Sequence, residues 1–123
     1  MKTTSRRLGL ALGFLAFSAM GASAADLKGE YAMAYCAGGA SSSLVDTASD
    51  AELTDNVVRL MDEAVAVSND QQWIYSSRPV FVWANEAKIA CGKAYGYLKF
   101  SVRDEQTLNN CGCFHDRMVS FMH

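Results

Sequence analysis

The sequence predicts an all-α domain of four helices that is stapled by two disulfide bonds. Apolar residues recur at helical spacing in four segments, which indicates amphipathic helices. The chain carries four cysteines, an even number that suits a disulfide framework in an exported protein. Residues that favour strands cluster between Trp73 and Phe81, but no partner strand is evident for this two-stranded alternative.

Residues 1–24 are expected to form a cleavable signal peptide. Three basic residues precede an uncharged apolar run over Leu8–Met20, and Ala22-Ser23-Ala24 provides a small-residue cleavage site. The run of about 13 residues is too short to span a bilayer, where about 20 are needed, although an uncleaved anchor is an alternative. The Ser5–Leu10 stretch also resembles a twin-arginine signal, which leaves the export route open. Residues 25–123 are then a single periplasmic domain.

Cleavage makes the protein more acidic. It removes Lys2, Arg6 and Arg7, so the formal net charge falls from −2 to −5. An acidic domain has no electrostatic footprint for nucleic acid or for an anionic membrane surface. Neither nucleic-acid binding nor membrane insertion of the mature chain is therefore expected.

The first helix is predicted from Asp26 to Ala37, where Gly38-Gly39 provides a stop, and a Ser-rich loop follows over 40–48. The second helix begins at Ser49, which forms a capping-box pattern with Glu52, and it ends at Ser68–Asp70. Its predicted apolar face consists of Leu53, Val57, Leu60, Met61, Ala64 and Val65.

The third helix is expected to be the central one. A linker over Gln71–Arg78 precedes it, and Pro79 suits its first turn because the missing amide is not needed there. Its stripe consists of Val80, Trp83, Ala84, Ala87, Cys91, Ala94, Tyr95 and Leu98. Asp104 is the predicted N-cap of the fourth helix. One face of this helix is expected to carry Leu108, Cys111, His115, Met118 and Met122.

Cysteine spacing restricts the disulfide pairing. Cys111 and Cys113 point about 200 degrees apart on a helix, so they cannot easily bond to each other. We expect Cys36 and Cys91 each to pair with one of them, in an order that the sequence leaves open. An alternative use of Cys111, Cys113 and His115 is a metal site or a thiol-redox centre, since thiolate and imidazole bind zinc or copper.

Catalytic patterns are weak, so a non-enzymatic protein without a cofactor is expected. The sequence has no nucleophile elbow, and His115 is interpreted as a partly buried helix residue. Asp62 and Glu63 are interpreted as adjacent acids on a solvated helix face.

Aromatic residues around the second connection are more informative about function. Most should lie in the core, yet Trp73, Tyr75 and Phe81 beside Arg78 have the composition of a protein-binding hot spot. The Gln71–Trp83 region is therefore the predicted contact surface for a protein partner in the periplasm. Association with a second copy of the chain stays open.

Two segments resemble a known family. The Leu27–Cys36 stretch is similar to the opening helix of periplasmic immunity proteins, which protect type VI secretion bacteria from their own cell-wall amidase toxins. A later helix of that family carries a cysteine followed by tyrosines and a lysine, as do Cys91, Tyr95, Tyr97 and Lys99. The resemblance implies a small helical protein that binds and blocks a toxin's active site. The Cys111-Gly112-Cys113 stretch departs from that family's pattern, so no binding residue is carried over.

Overall fold

The computed structural model describes Cys36 and residues 42–123, and this part of the chain is helical without strands. Helix α1 spans Asp50–Asn69, the single-turn helix α2 spans Gln71–Ile74, α3 spans Val80–Leu98 and α4 spans Glu105–Met122. Helix α3 packs extensively against both α1 and α4, which contact each other much less. The predicted all-α class with two disulfides is confirmed, and α3 is the central helix.

Two predictions fall outside the described residues. These are the signal peptide over 1–24 and the first helix from Asp26 to Ala37, of which only Cys36 is described, in helical conformation. Residues 42–48 form turns and irregular backbone, in agreement with the predicted loop.

The helix starts follow the capping residues in the sequence. The Ser49 hydroxyl accepts a hydrogen bond from the Glu52 amide at 3.4 Å, and the Asp104 carboxylate accepts one from the Thr107 amide at 2.8 Å. Each bond satisfies an amide that the first helical turn leaves without a partner. Pro79 is the N-cap of α3, so this helix begins one residue after the proline.

The predicted linker before α3 is partly wrong, because its first half is helical. The Asp70 side chain accepts a hydrogen bond from the Gln72 amide at 2.9 Å and so starts the single turn of α2. That turn buries Trp73 against the core. The two-stranded alternative for Trp73–Phe81 is wrong, since helix and turn occupy these residues.

The core lies where the three long helices meet. Helix α3 is rich in alanine on its buried face, which lets α1 and α4 approach it closely on two sides. Most residues of the predicted stripes are buried, and Tyr95, Leu98 and Met61 pack at the margin of the core, whereas Val65 is not part of it. Within residues 42–123, no helix has the length and apolar character that crossing a membrane requires.

Candidate functional site

The 71–83 connection, Gln71 to Trp83, lies at the end of the bundle where α1 ends and α3 begins. The structure divides the residues predicted for partner binding. Trp73 is buried in the core, and Phe81 is half-buried. Tyr75 is 85 % exposed and is the most accessible large apolar side chain among the described residues. Tyr75 is therefore available to a partner, whereas Trp73 has a structural role.

Arg78 is exposed and has a fixed position beside the end of α4. Its guanidinium donates hydrogen bonds to the carbonyls of Met122 at 3.3 Å and Phe121 at 3.5 Å. These carbonyls belong to the last turn of a helix, where a cation is favoured by the helix dipole. The Arg78 amide also donates to the Ser76 hydroxyl at 3.1 Å, which shapes the turn before α3.

The same connection exposes further apolar surface. Ile74 and Val82 are partly exposed, and no charged side chain occurs from Gln71 to Ser77. Depletion of charge together with Tyr, Arg and aliphatic groups is typical of the central part of a protein–protein interface. The arrangement can bind a complementary protein surface around Tyr75 with little cost in ordering its own backbone.

Both disulfides follow the pairing rule predicted from the cysteine spacing. Cys91 of α3 bonds to Cys111 of α4, and Cys36 bonds to Cys113. The Cys91–Cys111 bridge is fully buried between the two helices. Because thiol reactivity requires access, this bridge serves the structure, and a redox or metal role would first need its reduction.

The residue between Cys111 and Cys113 is a glycine because the Ser42 side chain lies too close for a larger residue. A Cβ atom at this position would lie 2.2 Å from the Ser42 hydroxyl oxygen and 2.8 Å from the Ser42 Cβ. The Ser42 amide donates a hydrogen bond to the Asn109 side chain at 2.8 Å, and Leu44 is buried nearby. The 42–47 loop therefore docks onto α4 at Gly112, between the two disulfides.

His115 forms a contact that the sequence analysis missed. Its Nε2 lies 2.6 Å from Glu63 Oε2, and the Glu63 carboxylate also accepts a hydrogen bond from Arg59 at 2.9 Å. His115 is buried, more deeply than the partly buried position that was predicted. Glu63 is not on a fully solvated face, because it lies half-buried against α4. Adjacent Asp62 is exposed. The pairing joins residues 52 positions apart, and no local pattern signals it.

The environment of Glu63 favours its ionised form. Partial burial raises its pKa, but the hydrogen bonds and positive charges of His115 and Arg59 together lower the pKa below the ordinary value of 4.5. His115 Nδ1 also lies 4.0 Å from the Asp116 carboxylate. The imidazole is thus held between carboxylates of two helices, an arrangement that orients it.

A shallow cavity of about 290 Å³ lies beside His115, between the 42–47 loop and helices α1 and α4. Hydroxyl, amide and charged groups contribute most of its lining, which consists of Ser42, Ser43, Leu44, Thr47, Asn56, Arg59, Leu60, Gly112, His115 and Asp116. Such a lining suits water or a small polar molecule. Across Cys36 and residues 42–123, no three His, Cys, Asp or Glu side chains are placed to hold a metal ion.

No protein-family model, no curated protein and no solved structure matches this chain.

Proposed function

We propose that this chain is a non-enzymatic binding protein of the periplasm that inhibits an envelope-targeting toxin, as an immunity protein does. The observation that carries the proposal is Tyr75, which is 85 % exposed and lies three residues before Arg78, whose guanidinium is held at the end of α4. Tyr and Arg are the residue types most often found at the energetic centre of protein interfaces.

Rigidity of the scaffold supports the same proposal. The 71–83 connection is held by the Asp70 cap, by burial of Trp73 and by the hydrogen bonds of Arg78 to the end of α4. A surface that is already ordered loses little conformational entropy when it binds. Inhibition of a toxin by surface blockage requires a tight complex, which such preorganisation favours.

The disulfides support an exported location. Four cysteines paired in two bridges suit an oxidising compartment outside the cytoplasm. The basic and apolar leader over residues 1–24 favours export, and the resemblance of the Leu27–Cys36 stretch to immunity proteins favours the periplasm.

Photo-cross-linking in the periplasm tests where a partner binds. Tyr75 is replaced by benzoylphenylalanine, and Phe100 serves as the matched control, because it is 84 % exposed and lies beyond the opposite end of α3. We expect a discrete cross-linked protein from position 75 and none from position 100. Equal cross-linking from both positions, or none from position 75, would contradict the 71–83 connection as the contact surface.

Protection of cells tests the inhibitory role. A host that exports one of a panel of cell-wall amidase toxins is made to co-export this chain. We expect survival with the wild-type chain and with Phe100→Ser, and lysis with Tyr75→Ser, provided that all three accumulate to equal levels. Failure of the wild-type chain to protect against any toxin of the panel would overturn the immunity proposal, while a cross-link from position 75 would still support a binding protein.

A further inference from the structure

The outward face of α3 carries a row of residues that are exposed or half-buried. Val82, Glu86, Ile89, Lys93 and Gly96 follow one another at alternating spacings of four and three, and we name this row the α3 seam. Such heptad spacing keeps side chains along one narrow line of a helix. Ile89 is 51 % exposed and Val82 is 41 % exposed, so the apolar members of the seam face solvent in the single chain.

We infer that the α3 seam binds the same seam of a second copy of this chain in an antiparallel, two-fold symmetric contact. This inference is independent of the proposed toxin inhibition. It rests on the order of charges, apolar groups and glycine along the seam.

The charges of Glu86 and Lys93 indicate that the α3 seam binds a second copy of the chain and that the two α3 helices run antiparallel. Glu86 and Lys93 form no ion pair with any residue of the described chain. In an antiparallel pair with its two-fold axis beside Ile89, Glu86 of each copy faces Lys93 of the other, which gives two ion pairs. A parallel pair would instead place like charges opposite each other. A self-complementary surface of this kind is what a two-fold dimer requires.

The uncharged seam residues fit the same register. With the axis beside Ile89, the two copies of this residue pack against each other, and Val82 of each copy lies opposite Gly96 of the other. Apart from the chain neighbours of Gly96 and the backbone of its own helix, no atom of the described residues lies within 4 Å of the place where a Cβ would be, so packing within one chain does not require a glycine there. A glycine inside a helix costs about 0.5–1 kcal/mol relative to alanine, whereas it creates space for an opposing side chain.

Charge reversal in solution tests the register. Sedimentation equilibrium of the disulfide-intact protein is recorded at about 5–500 µM, a range suited to the modest interface that one helix face provides. We expect the wild type to dimerise, and Glu86→Lys and Lys93→Glu each to weaken association by at least about ten-fold. The double variant Glu86→Lys/Lys93→Glu restores both ion pairs with their signs exchanged, and we expect it to dimerise as the wild type does.

Asp62→Lys is the matched control, because Asp62 is exposed on α1, away from the seam, and the change in charge equals that of Glu86→Lys. It should leave association unchanged. Far-ultraviolet circular dichroism confirms that each variant is folded. A wild type that remains monomeric up to the highest concentration overturns the inference. So do single variants that associate as well as the wild type, or a double variant that fails to recover.

Discussion

The Cys111–Cys113 stretch of α4 and the α3 seam both contain a glycine in the interior of a helix, but their surroundings are opposite. In α4, Cys111 bonds to α3, Gly112 lies under the 42–47 loop, and Cys113 bonds to Cys36. Each successive residue turns about 100 degrees around the helix, so three neighbours in sequence contact three different segments. On the α3 seam, Gly96 faces open space.

The contrast separates the positions that hold the fold together from those that are free for association. A substitution in the Cys111–Cys113 stretch disturbs contacts between segments far apart in sequence, and it should lower the free energy of unfolding. Val82 and Ile89 on the α3 seam are already partly exposed, so a substitution there should alter association with a smaller loss of stability.

Removal of the buried disulfide should have the largest effect. Cys91→Ala/Cys111→Ala opens a bridge with a sequence separation of 20, and a loop of that size contributes about 3 kcal/mol by constraining the unfolded chain. Urea unfolding followed by circular dichroism measures the loss. Ile89→Ala on the seam is the comparison, and we expect it to cost no more than about 0.5 kcal/mol because the side chain is half exposed. Equal losses for both variants would remove the distinction between the two regions.

Gly112→Ala should destabilise the protein by about 1–3 kcal/mol, the usual cost of overpacking. The added methyl group would overlap the Ser42 side chain and push the 42–47 loop away from α4. Ser42→Gly removes the overlapping atoms, so the double variant Ser42→Gly/Gly112→Ala should recover part of the loss in a double-mutant cycle of urea midpoints. Strictly additive effects would show that the loop does not contact α4 at Gly112.

The contact between the 42–47 loop and α4 also shows which features of the fold can be predicted from the sequence. Local patterns and helix geometry correctly predicted three features. These are the N-caps Ser49 and Asp104, the apolar stripe of α3 and the rule for the cysteine pairing. Gly112 was visible only as a spacer between two cysteines. Its reason, close approach of the Ser42 side chain, arises from tertiary packing that no spacing encodes.

The candidate site was predictable to a lesser degree for the same reason. Tyr75 and Arg78 were chosen for their residue types, and both are exposed, but the choice of Trp73 for partner binding ignored the single turn of α2, which buries it. Glu63 and His115 meet across two helices because of how α1 and α4 are placed around α3. A pattern of apolar residues predicts the buried face of each helix, but it does not predict which polar residues meet at its edge.

Glu63→Gln tests that edge contact and should cost about 1 kcal/mol near neutral pH, a modest value because the carboxylate is half exposed. The folded-state pKa of Glu63 is below its ordinary value of 4.5. Ionised Glu63 therefore adds stability above that value, and the contribution is lost as pH falls through the folded-state pKa. Urea unfolding at pH 7 and pH 3 should show a difference between wild type and variant that shrinks at pH 3. A difference that grows in acid would contradict the lowered pKa.

Gly96→Ala should have a small effect on stability, of the opposite sign. Outside its own helix backbone and chain neighbours, no described atom lies within 4 Å of the added methyl group, so the gain in helix propensity should raise the stability of the monomer by about 0.5–1 kcal/mol in dilute solution. At concentrations where the wild type dimerises, the same methyl group occupies the space opposite Val82 of the second copy, and association should weaken. Sedimentation equilibrium of Gly96→Ala thus measures the effect on association, and urea unfolding at low protein concentration measures the effect on monomer stability. A loss of stability in dilute solution would mean that the outward face of α3 is covered within a single chain, and the contrast with Gly112 would then fail.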